Sequence, residues 1–194
     1  MTALLETKGD RLLAAIRHLL AEKGIATHPE IKAAIERTDR ASPAQGARMV
    51  ARAWTDPAYR ALMLEDGAKA AESLGIPMRG LPPLGVLENT ETTHNLVVCT
   101  LCSCYPRGVL GYPPFWFKSV AYRARAVRDP AGVLAEWGTI LPANTAIRVV
   151  DSTADYRWMV LPRRPAETEG WNEERLAALV TAEAMIGVTV PVVS

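Results

Sequence analysis

Cysteine is missing from almost the whole chain: 194 residues hold three, and all of them stand in the segment Cys99-Thr100-Leu101-Cys102-Ser103-Cys104. Placed so close together they cannot staple distant parts of a fold. This excludes a disulfide framework and leaves the thiols as ligands or reactive groups. Net charge is nearly absent too. The 22 basic and 21 acidic residues leave +1, which gives no basic footprint for nucleic acid or for an anionic membrane surface. No run of about 18 apolar residues occurs, and Met1-Thr2-Ala3-Leu4-Leu5-Glu6-Thr7-Lys8 lacks the basic stretch and apolar core of a signal peptide. These absences predict no nucleic acid or membrane partner and a place in the reducing cytoplasm, where free thiols stay open to a metal. Internal repeats and low-complexity tracts are missing as well.

What is present is enough apolar material, 49% of residues, for one sizeable core with a helical appendage. Leu12, Ile16, Leu19 and Leu20 recur at helical spacing with Asp10, Arg11, Arg17 and Glu22 between them, and Gly24 is a fitting stop. Thr27-His28-Pro29-Glu30 has the spacing of a capping box, so a second helix carrying Ile31, Ala34 and Ile35 is expected. Ser42-Pro43 and Asp56-Pro57 each read as an N-cap followed by proline at the first helical position, which predicts helices near 43–54 and 57–73, the second ended by Gly75.

Between Gly75 and Gly85 the composition turns to proline and glycine, which neither helix nor central strand tolerates well. The predicted organisation is a helical arm over 1–75, a Pro/Gly-rich linker over 76–87 and an α/β domain over 88–194. Within that domain His94–Val98, Ala146–Asp151 and Tyr156–Leu161 read as strands. Asp129-Pro130 opens a short helix ending near Gly138, and Asn172-Glu173-Glu174 opens another with Leu176, Leu179 and Val180 on one face. The cysteine segment falls in a loop just after the strand that ends at Val98.

Three thiolates this close can reach one soft or borderline metal ion. If the amides of Ser103 and Cys104 lose their protons, Cys102 S, Ser103 N, Cys104 N and Cys104 S close a planar chelate whose rings all have favourable sizes. Cys99 could then supply an axial sulfur and leave one octahedral position open. Such anionic donors suit a trivalent Lewis-acid metal better than structural zinc. Two other readings stand beside it at this point: a closed zinc site with His94 as fourth ligand, and a redox pair within the C-x-x-C spacing. A structural role for His94 is the plainer expectation.

The stretch Val98-Cys99-Thr100-Leu101-Cys102-Ser103-Cys104-Tyr105-Pro106, then Gly111-Tyr112-Pro113-Pro114, Tyr122-Arg123-Ala124-Arg125 and Met159-Val160-Leu161-Pro162, resembles the α subunit of nitrile hydratase. The likeness continues through Thr168-Glu169-Gly170-Trp171 and Met185-Ile186-Gly187-Val188, and Ala53-Trp54-Thr55-Asp56-Pro57 extends it into the helical arm. The resemblance implies a helical N-terminal arm and a layered α-β-β-α domain. It also implies an enzyme that hydrates nitriles to amides, with a metal held by Cys99, Cys102 and Cys104 through sulfur and by Ser103 and Cys104 through amide nitrogen.

Further implications are Cys102 as sulfinic and Cys104 as sulfenic acid, with Cys104 and Cys102 as the catalytic pair. Thr100, where iron members usually carry Ser, implies one Co(III) per chain over Fe(III). The implied partners are a β-type subunit, as one chain or two separate small ones, whose arginines would bond the oxidised sulfurs, and a cobalt-loading activator protein. Arg157 resembles the family arginine that reaches histidines of the partner; a surface or interface ion pair is its other reading.

Two departures concern the substrate. After Tyr105-Pro106 most cobalt members continue Trp-Pro, where this chain has Arg107-Gly108, so an apolar wall gives way to a flexible cation beside a glycine. The stretch around Gly80 also lacks the glutamine that other members place near the site. The first substrate reading is a larger polar nitrile, such as a nucleoside nitrile, handled by a three-component nitrile hydratase. The second is thiocyanate, attracted by Arg107, as in the cobalt subunit of thiocyanate hydrolase. A non-catalytic subunit whose cysteines hold zinc is the third reading of the chain.

Overall fold

The computed structural model describes residues 7–193, so the reading of the segment before Thr7 as free of a signal sequence lies outside them. A boundary between Arg40 and Ala41 divides the chain into two compact units. The first holds α1 (Lys8–Glu22) and α2 (His28–Arg40). Each begins with a reciprocal cap: Thr7 with Asp10, and Thr27 with Glu30, where the Thr27 N–H donates to Glu30 Oε2 at 2.7 Å. The expected box at Thr27 is therefore present. No residue of α1 is buried, and its apolar stripe Leu12, Ile16 and Leu19 is exposed.

The second unit begins with α3 (Pro43–Thr55), α4 (Pro57–Glu65) and α5 (Gly67–Ser73). The single helix expected over 57–73 is two. Asp66 leaves helical conformation at φ −148° and its side chain accepts from the Lys69 N–H, so one aspartate ends α4 and caps α5. The break brings Gly67 against the next strand: a Cβ there would lie 2.7 Å from the Leu84 carbonyl oxygen.

That strand, β1 (Leu84–Glu88), begins within the stretch read as linker. Gly85 hid it, and Gly85 is there because the Trp158 ring occupies the space a Cβ would fill. The remaining strands are β2 (Thr93–Val98), β3 (Ala146–Asp151) and β4 (Arg157–Leu161). They form two parallel pairs: β1 with β4, from Leu84↔Arg157 to Glu88↔Leu161, and β2 with β3, from Thr93↔Ala146 to Val98↔Asp151.

Between β2 and β3 lie α6 (Arg107–Leu110), α7 (Phe115–Lys118), α8 (Val120–Arg128) and α9 (Pro130–Glu136); α10 (Glu173–Ala177) and α11 (Ala182–Ile186) follow β4. Asp129 caps α9 and Asn172 caps α10, as their sequences predict. Helices α4 and α5 cover the β1–β4 pair, α8 and α9 cover the β2–β3 pair, and the two pairs meet through β2 and β4. This is the expected α-β-β-α layering. Leu96, Val97, Val98, Met159, Val160 and Leu161 fill the middle and are all buried, because strands covered on both faces read as continuous apolar runs. The Trp54 indole donates to the Pro162 carbonyl at 2.8 Å, which fastens α3 to the end of β4.

Candidate metal centre

Strand β2 delivers Cys99 to the top of the core, and the chain then loops back over it. Cys99 is 1% and Cys104 6% exposed, while Cys102 between them faces outward. The three sulfurs lie within 4.8 Å of one another, with Cys99 Sγ 3.6 Å from Cys102 Sγ and Cys102 Sγ 3.2 Å from Cys104 Sγ. None is joined in a disulfide. The Cys102 N–H donates to Cys99 Sγ at 3.3 Å. Three sulfurs therefore converge in one turn of chain.

The thiols differ electrostatically. Hydrogen bonds from the Cys104 thiol and the Ser103 N–H hold the Cys102 thiol below its ordinary range. Burial pushes Cys104 up to about 12, the other two sulfurs add to the rise, and the Arg157 guanidinium opposes it. Three sulfurs packed this closely suit a cation, since a coordinated thiol gives up its proton outright.

Residues distant in sequence hold the loop. Asp151, at the end of β3 opposite Val98, accepts from the Thr100 N–H at 3.0 Å and from the Thr100 hydroxyl at 2.5 Å. Arg123 donates to the Thr100 carbonyl at 3.3 Å, and the Tyr122 hydroxyl donates to the Val97 carbonyl at 2.6 Å. Sequence reading placed Asp151 in a strand and Arg123 in a family motif without a role for either. Nothing local could have shown it, because Thr100 and Asp151 meet only through strand register.

His94 stands apart from the sulfurs. It is buried on β2, Nε2 donates to the Gly187 carbonyl at 2.7 Å, and Nδ1 accepts from Asn89 Nδ2 at 3.2 Å. Both ring nitrogens are thus engaged, and among the described residues the metal-capable cluster comprises the three cysteines alone. The structural reading of His94 is the one its contacts fit.

A pocket of about 390 Å³ opens over the loop, lined by Cys102, Ser103 and Cys104 on one side and by Met78, Leu81, Pro82 and Leu84 on another. Arg107 and Arg157 also line it. Arg107 is exposed at the start of α6, its guanidinium 5.6 Å from the centre of the Tyr112 ring. Arg157, at the start of β4, has its buried NH1 without a hydrogen-bond partner among the described residues. The apolar wall formed by Met78 and Leu81 was missed because both lie in the stretch read as linker.

The family described as "Nitrile hydratase, alpha chain" matches residues 7–189. The α subunit of the low-molecular-weight cobalt-containing nitrile hydratase of Rhodococcus rhodochrous is 48% identical over 178 residues, 91% of this chain and 86% of its own. A recombinant thiocyanate hydrolase with partially modified cobalt centres superposes at a TM-score of 0.86 with 41% identity, covering 95% of this chain and 90% of that one. A double mutant of the Fe-type nitrile hydratase from Comamonas testosteroni Ni1 superposes at 0.81, also with 41% identity, over 94% of this chain and 89% of that one. With nearly its whole length matched and the cysteine triad at the centre of the match, this chain belongs to the nitrile hydratase α-chain family and carries that family's cysteine metal site.

Proposed function

We propose that the chain is the catalytic α subunit of a cobalt nitrile hydratase, adding water to a nitrile to give an amide. The gathering of three sulfurs within 4.8 Å of one another beside a pocket carries this reading. Cys99, Cys102 and Cys104 would hold the metal through sulfur, and Ser103 and Cys104 through nitrogen. Cobalt is favoured by Thr100 and by the cobalt-containing relative, in the trivalent state that strong anionic donors stabilise. When bound, the ion supplies Lewis acidity toward the nitrile nitrogen or toward water.

The chain's own groups do the rest. Cys102 is carried as sulfinic and Cys104 as sulfenic acid, and the Cys104 oxygen acts from the pocket wall either as a base that takes a proton from the attacking water or as a nucleophile toward the nitrile carbon. The Arg157 charge, already felt at Cys104, favours an anionic oxygen there. A β-type partner, as one chain or two, adds further donors, and an activator protein loads the cobalt in the cytoplasm. Among the described residues no helix is long and apolar enough to cross a membrane.

Two arginines in the pocket favour a second reading, in which thiocyanate is the substrate and Arg107 draws the anion in. Assaying the metal-loaded complex for amide from a nitrile and for carbonyl sulfide from thiocyanate separates the two. Amide release that is lost in Cys104→Ala is the expected result. Nitrile hydration retained by a metal-loaded Cys104→Ala protein would refute the role of that residue.

A further inference from the structure

A strand in a parallel pair turns only alternate residues toward its neighbour; the N–H and C=O groups of the others point to the opposite side. The Ala146 N–H donates to the Thr92 carbonyl at 2.8 Å and the Ser152 N–H to the Val98 carbonyl at 2.7 Å, so Ala146, Arg148 and Val150 of β3 face β2. Ile147, Val149 and Asp151 face away. The far edge of β2 is closed by side chains: the Thr93 N–H donates to Thr90 Oγ1 at 3.1 Å, the Asn95 N–H to Asn89 Oδ1 at 2.7 Å, and the Val97 carbonyl accepts from the Tyr122 hydroxyl at 2.6 Å. On β4 the outward Trp158 N–H donates to Ser152 Oγ at 3.1 Å. The far edge of β3 has no such cover. Among the described residues no strand lies beyond it, and the outward N–H and C=O groups of Ile147, Val149 and Asp151 have no hydrogen-bond partner.

An open edge is a template for another strand, and proteins that must stay apart blunt it with proline, a bulge or a very short strand. Ala146–Asp151 has none of these: it holds no proline or glycine and keeps unbroken register with β2 from end to end. We propose that β3 is a docking edge, completed by an extended strand of the β-type partner through backbone hydrogen bonds to Ile147, Val149 and Asp151. The inference rests on the reading above that the chain works with such a partner. Asp151 ends β3 and holds Thr100 of the cysteine loop, so a strand laid along β3 runs to the place where the partner's donors are needed. Charge selects the occupant. Arg148 is exposed in mid-strand with no ion pair among the described residues, and a second copy of β3 would bring another arginine to the same face. A partner strand with an acid beside Arg148 answers that charge.

The test is amide hydrogen exchange read residue by residue, comparing the full chain alone with its complex with the β-type subunit that co-purifies with it. The amides of Ile147, Val149 and Asp151 should slow by about tenfold or more in the complex, while those of Arg148 and Val150, already bonded to β2, change less than about threefold. Val149→Pro removes an outward N–H at an edge position, where proline is tolerated. It should leave the chain folded by circular dichroism and weaken the complex by about tenfold or more. Arg148→Glu should weaken the complex too, with the fold unchanged. Outward amides that exchange equally fast in both states overturn the proposal. Protection of the same amides in the chain alone at raised concentration also overturns it, since a second copy would then occupy the edge. A chain with which no β-type subunit co-purifies overturns the partner reading instead, and the proposal falls with it.

Discussion

At the scale of single residues, the centre depends on a clamp that carries no sulfur. Asp151 satisfies both the amide and the hydroxyl of Thr100, which fixes the first residue of the loop between Cys99 and Cys102. Asp151→Ala removes both bonds at an exposed position and is expected to cost about 1 kcal/mol of stability. Thermal melting together with cobalt content checks it; full occupancy and an unchanged melt would remove the clamp from the account. The cysteines could be picked out in the sequence because one loop holds them all, and ring counting follows from covalent structure. Asp151 could not, since 51 residues separate it from Thr100 and only the pairing of β2 with β3 brings them together.

His94 makes a second prediction at this scale. Burial holds its pKa below the ordinary 6.5, with the Gly187 carbonyl pulling weakly the other way. The unfolded chain therefore takes up the proton first as pH falls. Stability from this residue is full above about pH 6.5 and is lost as pH drops below it toward the folded-state pKa. Denaturant midpoints measured between pH 7.5 and 5 should fall, with a shallower slope in His94→Gln. An identical slope in the variant would exclude His94 as the source.

At the scale of elements, end signals were easier to read than interiors. The caps at Thr27, Asp129 and Asn172 stand where local chemistry puts them. The break between α4 and α5 was not legible, because Asp66-Gly67 lies inside an otherwise helical pattern and its cause is the strand that passes beside it. β1 was concealed by prolines on one side and by Gly85, whose missing side chain matters only once Trp158 is opposite. Gly67→Ala tests this directly. The added methyl would meet Val86 Cγ2 at 2.9 Å and the Leu84 backbone oxygen at 2.7 Å, the latter a contact that no side-chain movement relieves. A loss of about 1–3 kcal/mol is expected by chemical denaturation. A stabilising effect, as for an ordinary helix-interior glycine, would show that α5 and β1 are not packed this way.

At the scale of the whole molecule, the layered unit presents one sulfur-rich loop to a pocket whose opposite wall comes from a Pro/Gly-rich turn. The sequence carried three of the strands through their composition, and the family, with the layering it implies, through its motifs. The wall escaped it, because residues in a stretch without periodicity reveal their packing only in three dimensions. Everything proposed for function depends on what the loop holds. The most direct measurement is elemental analysis with mass spectrometry of the Cys99–Cys104 peptide, on protein isolated in complex with its partner. The account predicts cobalt, with two oxygens added on Cys102 and one on Cys104; zinc with unmodified thiols would contradict it.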